Sequence, residues 1–190
     1  MRTRKLPSSV TMLFLLALVC SLIWIGQAFA DMPVFIETYN IAPPVPCDGM
    51  NRNGVGYAFT VGGAPSWDCL AGTGGPGNTN NITFPNIEGN AAGVLHLTFD
   101  VPTTKFGFGV AQSTLLTPQP NSVIVHLNRP GVGLLRQEVP LTTTADPYFV
   151  GGRYDYDGPA VKTVTIQFSG PYTRFVLDNL TYFRPRGQSK

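Results

Sequence analysis

Residues 94–100 read VLHLTFD, with Leu95, Leu97 and Phe99 on one side of an extended chain and His96, Thr98 and Asp100 on the other. Successive side chains of a strand point to opposite faces, so this alternation predicts a strand with one buried and one wetted face. The same period recurs in SVIVHLN, where Val123, Val125 and Leu127 oppose Ile124, His126 and Asn128. In KTVTIQF, Val164, Ile166 and Phe168 oppose Thr163, Thr165 and Gln167. Clusters of Gly, Pro and Asn separate such runs. Strands are predicted over 34–39, 57–61, 81–84, 94–99, 105–110, 122–128, 134–141, 148–153, 163–168 and 174–183. No window after residue 30 keeps a helical period. The expected fold is all-β, a single two-sheet antiparallel β-sandwich of jelly-roll type. Residues 70–81, LAGTGGPGNTNN, read as a long loop inside that domain.

The start of the chain breaks the pattern. Arg2, Arg4 and Lys5 precede an apolar run over 12–26, and Ala28-Phe29-Ala30 offers a small-x-small cleavage site. This is the layout of a signal peptide spanning 1–30, with Asp31 as the new N-terminus of a domain over 31–190. The run is short for a bilayer span of about 20 residues. The expected location is secreted or extracellular, with the periplasm as the other exported compartment. Charge changes with the leader: it holds three of the 13 basic residues and none of the 11 acidic ones. The remainder carries 10 against 11. No basic run survives, so the composition points to no nucleic-acid partner and, after cleavage, to no membrane.

Cys20 lies in the leader, leaving Cys47 and Cys69. A lone pair in an exported chain reads as a disulfide. It clips CDGMNRNGVGYAFTVGGAPSWDC, a segment rich in turn residues.

The final strand reads FVLDNLTYF, with Asp178-Asn179 at its centre. On a strict period of two, Asp178 shares a face with Val176, Leu180 and Tyr182. A carboxylate on an apolar face is costly unless something pairs with it.

The order LHLTFDVPTTKFGFGVA, a hairpin, PYFVGGRYDYDGPAVKTVTIQFSG and then RFVLDNLTYF resembles secreted bacterial jelly-roll domains of unknown function that end in an Asp-Asn strand. These are similar in plan to carbohydrate-binding modules and galactose-binding-like sandwiches. The resemblance implies a structural Ca2+ between the first and last strands, with Glu37, Asp178 and Asn179 as ligands. Calcium takes six to eight oxygens, which two carboxylates, an amide and carbonyls could supply. The plain alternative has Asp178 accepting hydrogen bonds from backbone N–H groups or an arginine, and Glu37 facing water. Asp155-Tyr-Asp-Gly158 echoes the start of a calcium loop but lacks its distal glutamate, and it reads equally as a turn.

For chemistry, His96 and His126 lie outward on strands and make at most half of a zinc site. Asp100 with His96 is the nearest acid/base candidate, so a glycoside-active hydrolase ranks third among the functions. Binding without catalysis ranks first: an exported module for extracellular polysaccharide, with an aromatic platform and a few polar groups. Trp67, in APSWDC, reads as a lid over the disulfide, with a stacking platform as the alternative. Tyr154 and Tyr156, beside Arg153 and Asp155, are expected to be partly exposed and to contact ligand. The runner-up is a structural surface protein that contacts other proteins and has no small ligand.

Overall fold

The computed structural model describes residues 34–73, 82–113, 121–146, 148–168 and 171–183. The expected leader lies outside them. Thirteen strands are present among the described residues: β1 (Val34–Glu37), β2 (Val45–Pro46), β3 (Asn51–Arg52), β4 (Val55–Val61), β5 (Ala64–Pro65), β6 (Cys69–Thr73), β7 (Asn86–Asn90), β8 (Gly93–Ser113), β9 (Asn121–Arg129), β10 (Gly133–Leu141), β11 (Thr143–Asp146), β12 (Phe149–Gln167) and β13 (Arg174–Phe183). Every pairing is antiparallel.

Two long strands organise the fold. The N-terminal part of β8 pairs with β4 and with the C-terminal part of β12, which in turn pairs with β9 and so with β10. The C-terminal part of β8 pairs with the N-terminal part of β12 and with β13, followed outward by β7, β6 and β2. Each long strand thus belongs to both layers of the sandwich. The register of β8 against β12 slips between Asp157 and Thr163, where the chains pass from one layer to the other. The sequence reading split each into two strands, leaving 100–104 and 154–162 unassigned; both stretches lie within β8 and β12. Of the expected strand over 81–84, residue 81 lies outside the described residues and 82–84 show an isolated bridge at Ile82. The short β2, β3, β5, β6, β7 and β11 were not anticipated, because they are too short or too Gly- and Asn-rich to show a period.

The inward faces are those the alternation predicted. Leu95, Leu97, Phe99, Val123, Val125, Leu127, Val164 and Ile166 are all buried. Aromatic contacts join the layers: Phe59 of β4 meets Phe175 of β13 at 5.8 Å, and Phe99 of β8 meets Tyr182 at 5.6 Å between centroids. Cys47 and Cys69 form a disulfide, fully buried, beside the β2–β6 pairing.

The last strand departs from strict alternation. One edge of β13 pairs with β7 over 174–177 and then with β1 over 180–183, with Val34 opposite Phe183. At the change of partner, Asn179 adopts a left-handed φ of 51° and the register against β8 shifts. This bulge resets the faces. Phe175 and Leu177 before it, and Leu180 and Tyr182 after it, all enter the main core. Val176 packs instead with Ile82 and Ala111 in a small second cluster. The expected sharing of a face by Asp178, Leu180 and Tyr182 is therefore corrected.

Candidate functional site

Asp178 is fully buried, and its partner is Thr83. Its Oδ2 accepts hydrogen bonds from the Thr83 backbone N–H and hydroxyl, both at 2.7 Å. Thr83 thus fills the gap between β7 and β1. The Thr83 carbonyl accepts from Asn86 Nδ2 at 3.0 Å. Asp178 Oδ1 and Asn86 Oδ1 are buried with no hydrogen-bond partner. Burial pushes the Asp178 carboxyl above its ordinary range, while the Thr83 donors and the Asn179 backbone N–H pull the other way.

Glu37 is buried too, not facing water. Its Oε1 accepts from the Tyr39 N–H at 2.9 Å, and its Oε2 accepts from Arg52 Nε at 3.2 Å and Asn53 Nδ2 at 2.6 Å. The cation that Glu37 meets is Arg52. A three-residue calcium set of Glu37, Asp178 and Asn179 fits poorly, because Glu37 is already neutralised and held by three donors. Among the described residues no three carboxylate, His or Cys side chains gather as a metal cluster. Among the described residues, the buried oxygens left for a cation are the orphaned Oδ1 atoms of Asp178 and Asn86.

The histidines flank one residue without meeting. Thr165 stands opposite His96 on one side and opposite His126 on the other. His96 Nδ1 lies 3.2 Å from Thr165 Oγ1. Asp100 is four residues along the same strand from His96, about 13 Å at strand rise, so the two do not form an acid/base pair.

The aromatic candidates divide. Trp67 is 79% exposed, which corrects its reading as a lid over the disulfide. The turn that carries it is held on both sides. The Ser66 N–H donates to the Phe59 carbonyl at 2.9 Å, and the Asp68 N–H to Ser66 Oγ at 3.2 Å. The Asp68 carbonyl accepts from the Asn90 N–H, and Cys69 follows in its disulfide. Next to the indole in sequence lies a polar cluster that the sequence reading missed. Arg174 donates to Asp68 Oδ1 and to Glu88 Oε1, and Asn90 Nδ2 donates to Asp68 Oδ2. The Arg174 hydrogen bond holds the Asp68 carboxyl below its usual range. No local signal announces this cluster, since Asp68, Glu88 and Arg174 meet only through the pairing of β6, β7 and β13.

Tyr154 and Tyr156 are buried, 5% and 6% exposed, against the expectation of partial exposure. Both rings pack on Phe106. The Tyr154 hydroxyl donates to Gln137 Oε1 across the sandwich, and the Tyr156 hydroxyl to the Pro159 carbonyl at 2.7 Å. The alternation Arg-Tyr-Asp-Tyr-Asp carried the signal, placing both tyrosines opposite the charges. Asp155 and Asp157 form no calcium loop. Asp155 pairs with Arg153 and Asp157 with Lys105, both at 2.8 Å. Tyr156 nonetheless reaches a cleft of about 310 Å³ at the end of β13, near Lys105, Asp157 and Phe183.

No protein-family model matches this chain, and no curated protein matches it. Among solved structures it is similar to a family 29 carbohydrate-binding module at 11% identity, covering 80% of this chain and 89% of that one with a TM-score of 0.43. A mutant of the family 29 module CBM29-2 complexed with mannohexaose gives 13% identity, 80% and 92% coverage and 0.44. The Clostridium thermocellum xylanase 10B CBM22-1–GH10 modules complexed with xylohexaose give 13%, 84% and 30%, and 0.43. The likeness is one of sandwich plan. No residue role is carried over from these proteins.

Proposed function

We propose that this chain is an exported glycan-binding module that holds neutral polysaccharide on Trp67. The observation that supports the reading is an indole almost wholly in solvent on a turn pinned by a disulfide and by backbone hydrogen bonds. Exposing so large an apolar ring is unfavourable in water, and a sugar ring offers it a C–H face to cover. Asp68, Asn90, Glu88 and Arg174 supply directional hydrogen bonds beside it. Arg174 pairs with both Asp68 and Glu88, which leaves the cluster at net −1 and suits a neutral ligand better than an anionic one.

Trp24 lies in the expected leader, so after cleavage Trp67 is the one tryptophan. Its fluorescence is expected to shift on titration with glucan or mannan hexasaccharides, and Trp67→Ala to abolish binding at that turn. Unchanged fluorescence and no binding to either sugar would remove this reading. Export is part of the proposal, supported by the disulfide, which needs an oxidising compartment; N-terminal sequencing of the exported form should begin at Asp31. Calcium enters only at Asp178. Its test is the melting temperature with Ca2+ and with EGTA, where no difference leaves the carboxyl without an ion.

Val132 and Leu134, exposed at the β9–β10 hairpin, favour the second reading of a surface protein that contacts other proteins. Sedimentation of the leader-free protein at rising concentration would expose self-association through that hairpin.

A further inference from the structure

The cleft at the end of β13 is not absorbed by the Trp67 reading. Its apolar lining is the part-exposed Phe183, with Phe106 and Tyr156, both buried in the core. Its rim is charged: Lys105, Asp155 and Asp157. The rim charges are already matched, Lys105 to Asp157 and Arg153 to Asp155, and the Lys105 ammonium also lies 5.5 Å from the centroid of the Phe183 ring. An anionic ligand would meet two carboxylates, and a cationic one would have to displace Lys105. A neutral polyol ring meets neither obstacle. Its C–H face can lie on Phe183, while its hydroxyls bridge the ammonium and the carboxylates without separating them. The floor is rigid: the Tyr156 hydroxyl is tied to the Pro159 carbonyl, and Thr181 Oγ1 donates to the Gly107 carbonyl at 3.3 Å. Gly107 is required here. A Cβ on it would sit 2.8 Å from the Tyr154 carbonyl oxygen and 2.3 Å from Asp155 Oδ1. The cleft volume lies at the small end of ligand sites, sized for one or two sugar rings rather than a long chain.

Its place in the fold adds a second point. Arg174, tied to Asp68 beside Trp67, begins β13, and Phe183 in the cleft ends it. Nine steps of strand separate them by about 30 Å. Between them Val176 and Asp178 are fully buried beneath Ile82 and Thr83, so no open groove runs along the strand from one site to the other.

We infer that the Lys105–Asp157–Phe183 cleft is a second binding site for a neutral sugar ring, independent of Trp67, and that the chain bridges two glycan strands. The bridging rests on the Trp67 reading; the cleft itself does not. The test uses the oxidised leader-free protein and a neutral hexasaccharide, followed by calorimetry and by NMR shifts of residues 105–107 and 181–183. Two sugars are expected per chain. Trp67→Ala should keep the cleft shifts and bind one. Phe183→Ala should weaken the cleft by about tenfold, the size of one aromatic contact. Asp157→Asn, on a largely exposed rim residue, gives the same comparison without touching the core. Wild type should cross-link soluble polysaccharide into aggregates, and neither single-site variant should. Cleft shifts missing from wild type and Trp67→Ala alike overturn the proposal even if Trp67 binds. Cleft shifts without any Trp67 response retain the cleft site and overturn both the bridging and the Trp67 reading.

Discussion

Asp178 shows how one residue can be legible in kind and not in geometry. That a carboxylate within an apolar strand needs a partner follows from its chemistry. That the partner is Thr83, 95 residues away in the chain, follows only from the bulge at Asn179 and the gap it leaves between β7 and β1. The orphaned Oδ1 has a consequence for pH. A buried acid whose pKa is raised in the folded state contributes no penalty below its unfolded pKa, near 4, and destabilises as pH rises through the folded value. In EGTA, Asp178→Asn should therefore equal or exceed wild-type stability at pH 7, by about 1 kcal/mol, since a neutral amide removes the buried charge while its oxygen can keep the Thr83 bonds. The advantage should shrink toward pH 4. Denaturant unfolding at the two pH values measures it, and an equal difference at both would sink the argument. With a calcium ion on Oδ1 the sign reverses, and wild type in Ca2+ becomes the more stable protein.

At the scale of elements, the alternating runs 94–99, 122–128 and 163–168 placed their inward residues correctly, because burial on one face of a sheet imposes the period that the sequence displays. The junctions were less legible. The stretches 100–104 and 154–162 were left out of the predicted strands, yet β8 and β12 run through them with a slipped register. Tyr154 and Tyr156 were misjudged because their charged neighbours outweighed the period. The disulfide was readable from the count of cysteines alone, and the turn it secures carries Trp67. Replacing both Cys47 and Cys69 by Ala should lower stability by about 3 kcal/mol on the chain-entropy model. It should also weaken sugar binding at Trp67 through a less ordered turn, while leaving the cleft's affinity unchanged. Chemical unfolding and the two-site titration read these separately; equal losses at both sites would mean that the clip supports the whole sandwich.

At the scale of the molecule, the all-β sandwich was visible in the spacing of strands and turns, whereas the meeting of Asp68, Glu88 and Arg174 was not, since it depends on strand order. Because β8 and β12 each serve both layers, neither layer can open while the other stays intact. Unfolding should therefore be one transition, with calorimetric and van't Hoff enthalpies equal and amides of both halves of β8 exchanging together. A separate early transition in either half would contradict this. The pairing of Val34 with Phe183 has a mechanical meaning. The described domain begins and ends at the same point, on two antiparallel strands. Tension applied between those ends loads the ladder one hydrogen bond at a time, so β1 peels like a zipper from Val34, and Glu37 is the last of its residues to be released. A protein that bridges glycan strands by its two far sites would carry load along β13, and the β1 seam runs beside the end of that line, at Thr181 and Phe183.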